Sequence, residues 1–199
     1  MAEGIRKRLK RWEDPSDWRY LTCSTYRRFQ FFDDAVHCDV FAIKLEEARK
    51  KLGFELRAWV LMLEHFHVIL HPIGGVTVPQ ILKRVKQSIS KVLHRRWETS
   101  RMDLVKRVHF GEEFRLWQPG GGFDRNIRDG VEMDREIAYI HNNPVKGDLV
   151  KTPTDWAWSS SRHYAGDPRS PVQIVYRKWT PYRDDFDQSQ TRDGAPSKL

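Results

Sequence analysis

The run His65-Phe66-His67-Val68-Ile69-Leu70-His71 constrains this chain more than any other stretch. It is apolar and rich in strand formers, so the pattern predicts a β-strand. Side chains alternate along a strand. Phe66, Val68 and Leu70 therefore share a uniformly apolar face that should pack into the core, while His65, His67, Ile69 and His71 share the other. Two imidazoles two residues apart stand about 6.6 Å from each other at the backbone, a spacing that lets both converge on one metal ion. His71 lies roughly 13 Å beyond His67, too far to share that ion without a bend. Paired histidines on a half-exposed strand are also compatible with plain surface polarity. The motif needs a partner.

The partner is the segment around Tyr139. Asp129, with Glu132 three residues later, reads as an N-cap with a capping-box acid, and Pro144 is expected to stop the helix at about Asn143. Met133, Ile137 and Ile140 fall at i, i+4 and i+7 and make the buried stripe. Tyr139 lies well off that stripe, and Asn143 sits one turn further along the same face. A phenol and a carboxamide thus project together from the non-core side of a short helix. His141 points about 200° away from Tyr139 and is left out of the site. Helix tyrosines are more often packing residues than nucleophiles, so this segment alone also leaves the choice open.

The two together are specific. A His-hydrophobe-His strand followed about seventy residues later by Tyr-Ile-His-Asn-Asn-Pro-Val-Lys resembles the single-tyrosine HUH transposases, most closely the REP-associated tyrosine transposases. The similarity extends through Tyr20-Leu21-Thr22, Leu116-Trp117-Gln118, Phe123-Asp124-Arg125-Asn126-Ile127-Arg128 and Asp155-Trp156-Ala157-Trp158-Ser159-Ser160, covering residues 18–165. Two departures stand out: Leu63 where a proline is usual, and Gly147-Asp148 in place of Ala-Gly before Leu149-Val150. Asp148 could alter how the helix exit folds.

The chemistry that follows is DNA transesterification, with Tyr139 attacking phosphorus to leave a 5′-phosphotyrosine and a 3′-hydroxyl. A free phenol, with a pKa of about 10, is a poor nucleophile at neutral pH and needs help. A divalent cation on His65 and His67 would polarise the phosphate and stabilise the departing oxygen. Asn143 is the expected third ligand, both from its turn-spacing to Tyr139 and from relatives with a polar ligand four residues after the tyrosine. Its carbonyl oxygen suits Mg²⁺ or Mn²⁺, while two imidazoles also suit Zn²⁺. No nucleotide cofactor is required. The resemblance implies a single-stranded, hairpin-forming substrate from repeated extragenic palindromes, with a short flanking tetranucleotide guide. A monomer is favoured, with a homodimer, and a tyrosine acting in trans, as the alternative. Three other functions compete: a catalytically silent DNA-binding protein or repressor on the same fold, a metal-dependent hydrolase using water, and an RNA-binding module.

Charge points the same way. Lys and Arg number 35 against 27 Asp and Glu, for a net charge of +8 and a pI near 9.6. Such a balance favours a polyanionic partner. No apolar run approaches membrane-spanning length, and no signal-peptide core follows the basic N-terminus. Cys23 and Cys38 form neither a disulfide framework nor a zinc pattern, which suggests a reducing cytoplasm and, for a DNA partner, the nucleoid. The glycines at 120–122 lack the context of a nucleotide cradle and read as a loop or hinge that would let the tyrosine helix move.

The remaining elements fall in order. Residues 1–15, with Arg6, Lys7, Arg8, Lys10 and Arg11, form a flexible basic arm or a DNA-contacting one. Trp18 to Thr25 is the first strand. Asp34 to Leu52 is a helix with Val36, Val40, Ile43 and Ala48 as its apolar positions, ending before Gly53. Phe54 to Met62 is a strand with Phe54, Leu56 and Ala58 on one face. Residues 76–98 form a helix with Val78, Ile81, Val85, Ile89 and Val92 inward. Its outer faces carry Lys83, Arg84, Lys86, Lys91, Arg95 and Arg96, with no acid between Gly74 and Trp97. Solvated faces normally mix signs, so this one is a candidate for a phosphate backbone. Val105 to Trp117 is expected to supply the fourth strand.

That succession of strand, helix, strand, strand, helix, strand suggests an α+β ferredoxin-like sandwich, an antiparallel sheet of four to five strands with helices on one face. One domain over residues 16–165 is followed by a C-terminal extension, 166–199, polar and disordered from about 183. The aromatics Trp156, Trp158, Tyr164, Tyr176, Trp179 and Tyr182 either cement this end onto the core or stack on DNA bases.

Overall fold

The computed structural model describes residues 17–110, 113–167 and 169–175. The basic arm at 1–15, the tail from 183, and Tyr176, Trp179 and Tyr182 lie outside the described residues. Four strands, β1 (Arg19–Ser24), β2 (Glu55–Leu61), β3 (His65–His71) and β6 (Phe123–Asn126), form one antiparallel sheet in the order β2-β3-β1-β6. The helices are α1 (Ala35–Leu52), α2 (Val78–Ser100), α3 (Met102–Val108), α4 (Gly130–Lys146) and the single turn α5 (Ser161–Tyr164). Strand β1 in the middle, flanked by β3 and the last strand, is the ferredoxin-like connection.

The histidine strand is central and antiparallel to both neighbours, with Thr22 opposite His67 and Ser24 opposite His65. Its apolar face, Phe66, Val68 and Leu70, joins Leu21 and Cys23 of β1 under α1 and α2. The opposite face is covered too. Ile69 and Tyr20, with Ala58 and Val60 of β2, pack against Met133, Ile137 and Ile140 of α4. Helices therefore lie on both faces: α1 and α2 on one, α4 with the single turn α5 on the other, where a single face was expected. The stripe on α4 is the reason, since its three apolar residues need a sheet face that α1 and α2 leave open.

Several local expectations are corrected. The fourth strand is β6, not Val105 to Trp117; that stretch is α3 followed by the short hairpin β4 (His109–Phe110) and β5 (Glu113–Phe114). Leu104, Val105 and Val108 are all buried, a helical spacing that carries α3 back onto α2. On α1 the buried stripe is Cys38, Phe41, Ala42, Leu45 and Ala48. Val36 and Ile43 remain 39% and 51% exposed, because the stripe with the larger apolar volume took the core. In β2 a register shift between Leu56 and Ala58 breaks the alternation at Arg57, so Leu56 faces α1 while Ala58 faces α4.

Helix α4 also runs through Pro144 to Lys146. Proline in the final turn removes one hydrogen bond near a helix end, where carbonyls are sparsely paired already. Its N-cap is Asp129, which accepts from the Glu132 backbone N–H at 2.7 Å. After the helix Asp148 adopts a left-handed φ of 55° in place of the usual glycine.

The C-terminal segment adds along β2. Leu61 donates to the Trp158 carbonyl at 2.9 Å, and Ser160 to that of Trp59 at 2.9 Å. Trp156, Trp158 and Tyr164 all serve as anchors, donating to Leu61 O, Asp39 Oδ1 and Arg57 O at 2.7, 2.9 and 2.9 Å. His141 joins them, with Nε2 2.8 Å from Ser160 Oγ and its ring against Tyr164. Burial pushes its pKa down to about 4.

Candidate catalytic site

Strand alternation puts His65 and His67 on the α4 face, and α4 lays Tyr139 over them. The two imidazoles turn toward each other, Nε2 to Nε2 at 3.1 Å, with ring planes at 86°. The Tyr139 ring meets the His67 ring edge-on, centroids 5.8 Å apart. One turn later Asn143 donates Nδ2 to the Tyr139 carbonyl at 2.8 Å. Tyr139 stays accessible, 41% exposed. All four residues proposed from the sequence thus share one place. A cleft of about 420 Å³, lined by Gln30, Glu64, His65, Tyr139, Asn143 and Lys146, opens onto it.

Burial sets the charge state here. It drives His67 down to about 3, reinforced by the neighbouring His65, so this ring is neutral at physiological pH. His65 is lowered as well, chiefly by burial, although Glu64 pulls the other way. Beneath them Tyr20 is buried and its phenol is pushed up to about 12, mainly by desolvation and against the hydrogen bond from Thr22.

The donors fit a divalent cation. Two nitrogens each about 2.1 Å from one ion, at 90–110°, stand about 3.0–3.4 Å apart, which brackets the 3.1 Å observed. Among the described residues no three His, Cys, Asp or Glu side chains converge on one point. Besides the two imidazoles, the Asn143 carboxamide, one turn after Tyr139, is the remaining candidate donor.

Sequence spacing missed five contributors. Glu64 sits in the bend before β3, outside the strand alternation, and its Oε1 lies 2.9 Å from His65 Nδ1. Arg28 donates to that same oxygen at 2.7 Å. Thr22 Oγ1 and Tyr20 OH lie 2.7 and 2.8 Å from His67 Nδ1. Lys146 places Nζ 4.7 Å from the centre of the Tyr139 ring. Lys146 follows Tyr139 by two helical turns, a spacing that points to it once α4 continues through Pro144.

The cations of α2 are elsewhere. Lys83, Arg84, Lys91, Arg95 and Arg96 are exposed, but α2 packs on the sheet face opposite Tyr139. Lys86 is half-buried, its Nζ donating to the carbonyls of Gln118 and Gly120 at 3.4 and 3.1 Å. The glycine loop is correspondingly pinned, since Cys23 Sγ also donates to Gly121 O at 3.6 Å. Among the described residues no helix is long and apolar enough to cross a membrane.

The stretch of chain that builds this sheet and site also matches a family model. The profile described as "Transposase IS200 like" fits residues 17–143, and the chain belongs to that family. A curated relative, the REP-associated tyrosine transposase of Escherichia coli (strain K12), is 26% identical over 114 residues, which is 57% of this chain. The match spans 58% of that relative's length. A solved REP-associated tyrosine transposase bound to a REP hairpin superimposes with a TM-score of 0.63 at 21% identity, covering 94% of this chain and 96% of that one. At that identity the likeness is one of fold.

Proposed function

We propose that the chain cleaves and rejoins single-stranded, hairpin-forming DNA through a 5′-phosphotyrosine intermediate on Tyr139. The observation that carries this is the exposed Tyr139 packed against His67 at the mouth of one cleft. The Tyr139 oxygen attacks phosphorus, and the new O–P bond forms as the bond to the 3′-oxygen breaks. The 5′-phosphate stays on the tyrosine, and the freed 3′-hydroxyl takes up a proton to replace the one the phenol gives up. Reversal rejoins a strand without an external energy source.

His65, His67 and Asn143 would hold a divalent cation, Mg²⁺ or Mn²⁺, which when bound supplies positive charge for the phosphate oxygens. Because Tyr139 and both imidazoles already meet within one chain, a monomer acting in cis is the simplest assembly. Hairpin DNA is the substrate of choice because the chain carries a net charge of +8 and a structural relative is bound to a REP hairpin. Lys83, Arg84, Lys91, Arg95 and Arg96 would then hold backbone phosphates of DNA that passes behind the sheet, away from the scissile bond.

The test is incubation with hairpin oligonucleotides from the host's own repeats, with Mn²⁺, with Mg²⁺ and with chelator, comparing wild type and Tyr139→Phe. A cation-dependent protein–DNA adduct mapping to Tyr139 by mass spectrometry is expected. Shifted but uncut DNA with both proteins would mark a catalytically silent DNA-binding protein. Cleavage that survives Tyr139→Phe would sink the tyrosine mechanism.

A further inference from the structure

The two imidazoles of the site differ in what holds their far nitrogens. Nδ1 of His65 faces Glu64 Oε1 at 2.9 Å, and Arg28 Nη2 holds that oxygen at 2.7 Å. A carboxylate paired with a guanidinium only accepts. His65 must therefore carry its proton on Nδ1, which leaves a lone pair on Nε2. Nδ1 of His67 has two hydroxyl neighbours instead, Thr22 at 2.7 Å and Tyr20 at 2.8 Å. A hydroxyl donates or accepts by rotating about its C–O bond, so this pair serves either tautomer.

The 3.1 Å contact between the Nε2 atoms decides which tautomer His67 needs. Without a cation, two facing lone pairs would repel, so a proton must lie between the rings, and only His67 can supply it. With a cation at the pair, both Nε2 atoms must offer lone pairs, and the His67 proton has to reside on Nδ1.

Resting on the cation site proposed above, we propose that Glu64 and Arg28 are positioning residues that lock His65 as the Nδ1–H tautomer. The Thr22 and Tyr20 hydroxyls, in turn, let His67 change from Nε2–H to Nδ1–H when a divalent cation binds. The exchange is balanced: one N–H is lost at Nε2, one is gained at Nδ1, and no proton is released overall. One ring is fixed and the other is adaptable, which reconciles an apo contact that needs a proton with a loaded site that excludes it.

The experiment uses the full chain with ¹⁵N-labelled histidine, the two rings being assigned from His65→Gln and His67→Gln spectra. Long-range ¹H–¹⁵N NMR reads each tautomer in the metal-free and the Mg²⁺-saturated protein, and calorimetry measures Mn²⁺ affinity. In the metal-free wild type, His65 should be Nδ1–H and His67 Nε2–H, with His67 changing to Nδ1–H in Mg²⁺. Glu64→Ala should leave His65 a mixture of tautomers and weaken Mn²⁺ binding about 10- to 100-fold, as loss of an outer partner does. Glu64→Gln keeps a carbonyl acceptor and should restore both. Thr22→Val and Tyr20→Phe each leave one hydroxyl and should bind near wild type, whereas the double variant should lose affinity.

An Nε2–H tautomer at His65 in the wild type would overturn the lock. So would a folded Glu64→Ala protein with unchanged tautomer and unchanged Mn²⁺ affinity. If the wild type takes up neither cation, the metal-dependent site itself fails, and the metal-free spectra alone then decide the lock.

Discussion

His65 Nε2 stands 3.1 Å from His67 Nε2 on the α4 face of the sheet, each ring tied at its far nitrogen to different chemistry. That separation matches two ligands of one ion, and neither ring is free to swing away. Alanine at His65 or His67 should therefore weaken Mn²⁺ binding by more than the about 10- to 100-fold typical of an outer partner. Asn143→Ala, which removes a neutral oxygen donor, should cost less than either. Calorimetry on the three variants gives the ranking, and unchanged affinity in His67→Ala would remove the cation from this site.

Lys146 places its ammonium 4.7 Å from the centre of the Tyr139 ring, at the rim of the cleft. An exposed cation–π contact contributes about 0.5–1 kcal/mol, equivalent to about a two- to fivefold effect. Lys146→Gln should slow adduct formation by about that factor if the contact only orients the phenol. A loss beyond about tenfold would mean that Lys146 also meets the DNA phosphate. Tyr139→Phe should abolish the adduct altogether while leaving DNA binding intact, as read by gel shift beside the denaturing gel.

The start of α4 carries a pH-sensitive clasp. Burial pushes the Glu132 carboxyl up, but the Arg128 backbone N–H and the guanidinium groups of Arg128 and Arg125 outweigh it and hold the pKa at about 2, against an ordinary 4.5. A folded-state value below the unfolded one means that unfolding takes up a proton between these two pH values. The clasp's stabilisation is thus complete above pH 4.5 and is lost as pH falls toward 2. It is on the order of 3 kcal/mol at neutral pH. Glu132→Gln should lower Tm at pH 7 and narrow its gap to wild type steadily between pH 4.5 and 2. A gap that stays constant with pH would show the clasp to be electrostatically idle.

The sequence brought the residues of the candidate site together better than it laid out the scaffold around them. Alternation along 65–71 and helical spacing at Tyr139 and Asn143 depend on single elements, and periodicity fixes the relative side-chain directions within an element. What periodicity leaves open is which element faces which. Thr22 and Tyr20 touch His67 only through the register of β1 on β3, which no local pattern encodes. The bulge at Arg57 reversed the expected facing of Ala58 for a similar reason. On α1 two apolar stripes competed, and only packing against the sheet chose Phe41 and Leu45 over Val36 and Ile43. Charge carries a different kind of information: the unmixed cations of α2 suggest DNA but not where it lies, and their helix packs on the sheet face opposite α4.

The glycine loop supplies the sharpest structural contrast. Gly122 has a left-handed φ of 77°, and a Cβ there would lie 2.0 Å from the Thr22 carbonyl oxygen and 3.2 Å from Cys23 Sγ. Gly120 has a φ of 91° but nothing within 4 Å of a Cβ. Alanine at Gly120 should cost only the backbone penalty, about 1–2 kcal/mol. Alanine at Gly122 adds a collision with main chain that no rotamer change relieves, and should cost at least about 2 kcal/mol more. The collision falls on the residue whose hydroxyl lies 2.7 Å from His67 Nδ1. Gly122→Ala should therefore lose more stability than Gly120→Ala, while Mn²⁺ affinity, which the remaining Tyr20 hydroxyl on His67 sustains, should stay near wild type in both. Urea denaturation and calorimetry on both variants separate the two effects. Equal stability losses would mean that β1 yields to the new methyl group, and the close approach of this loop would then be incidental to the site.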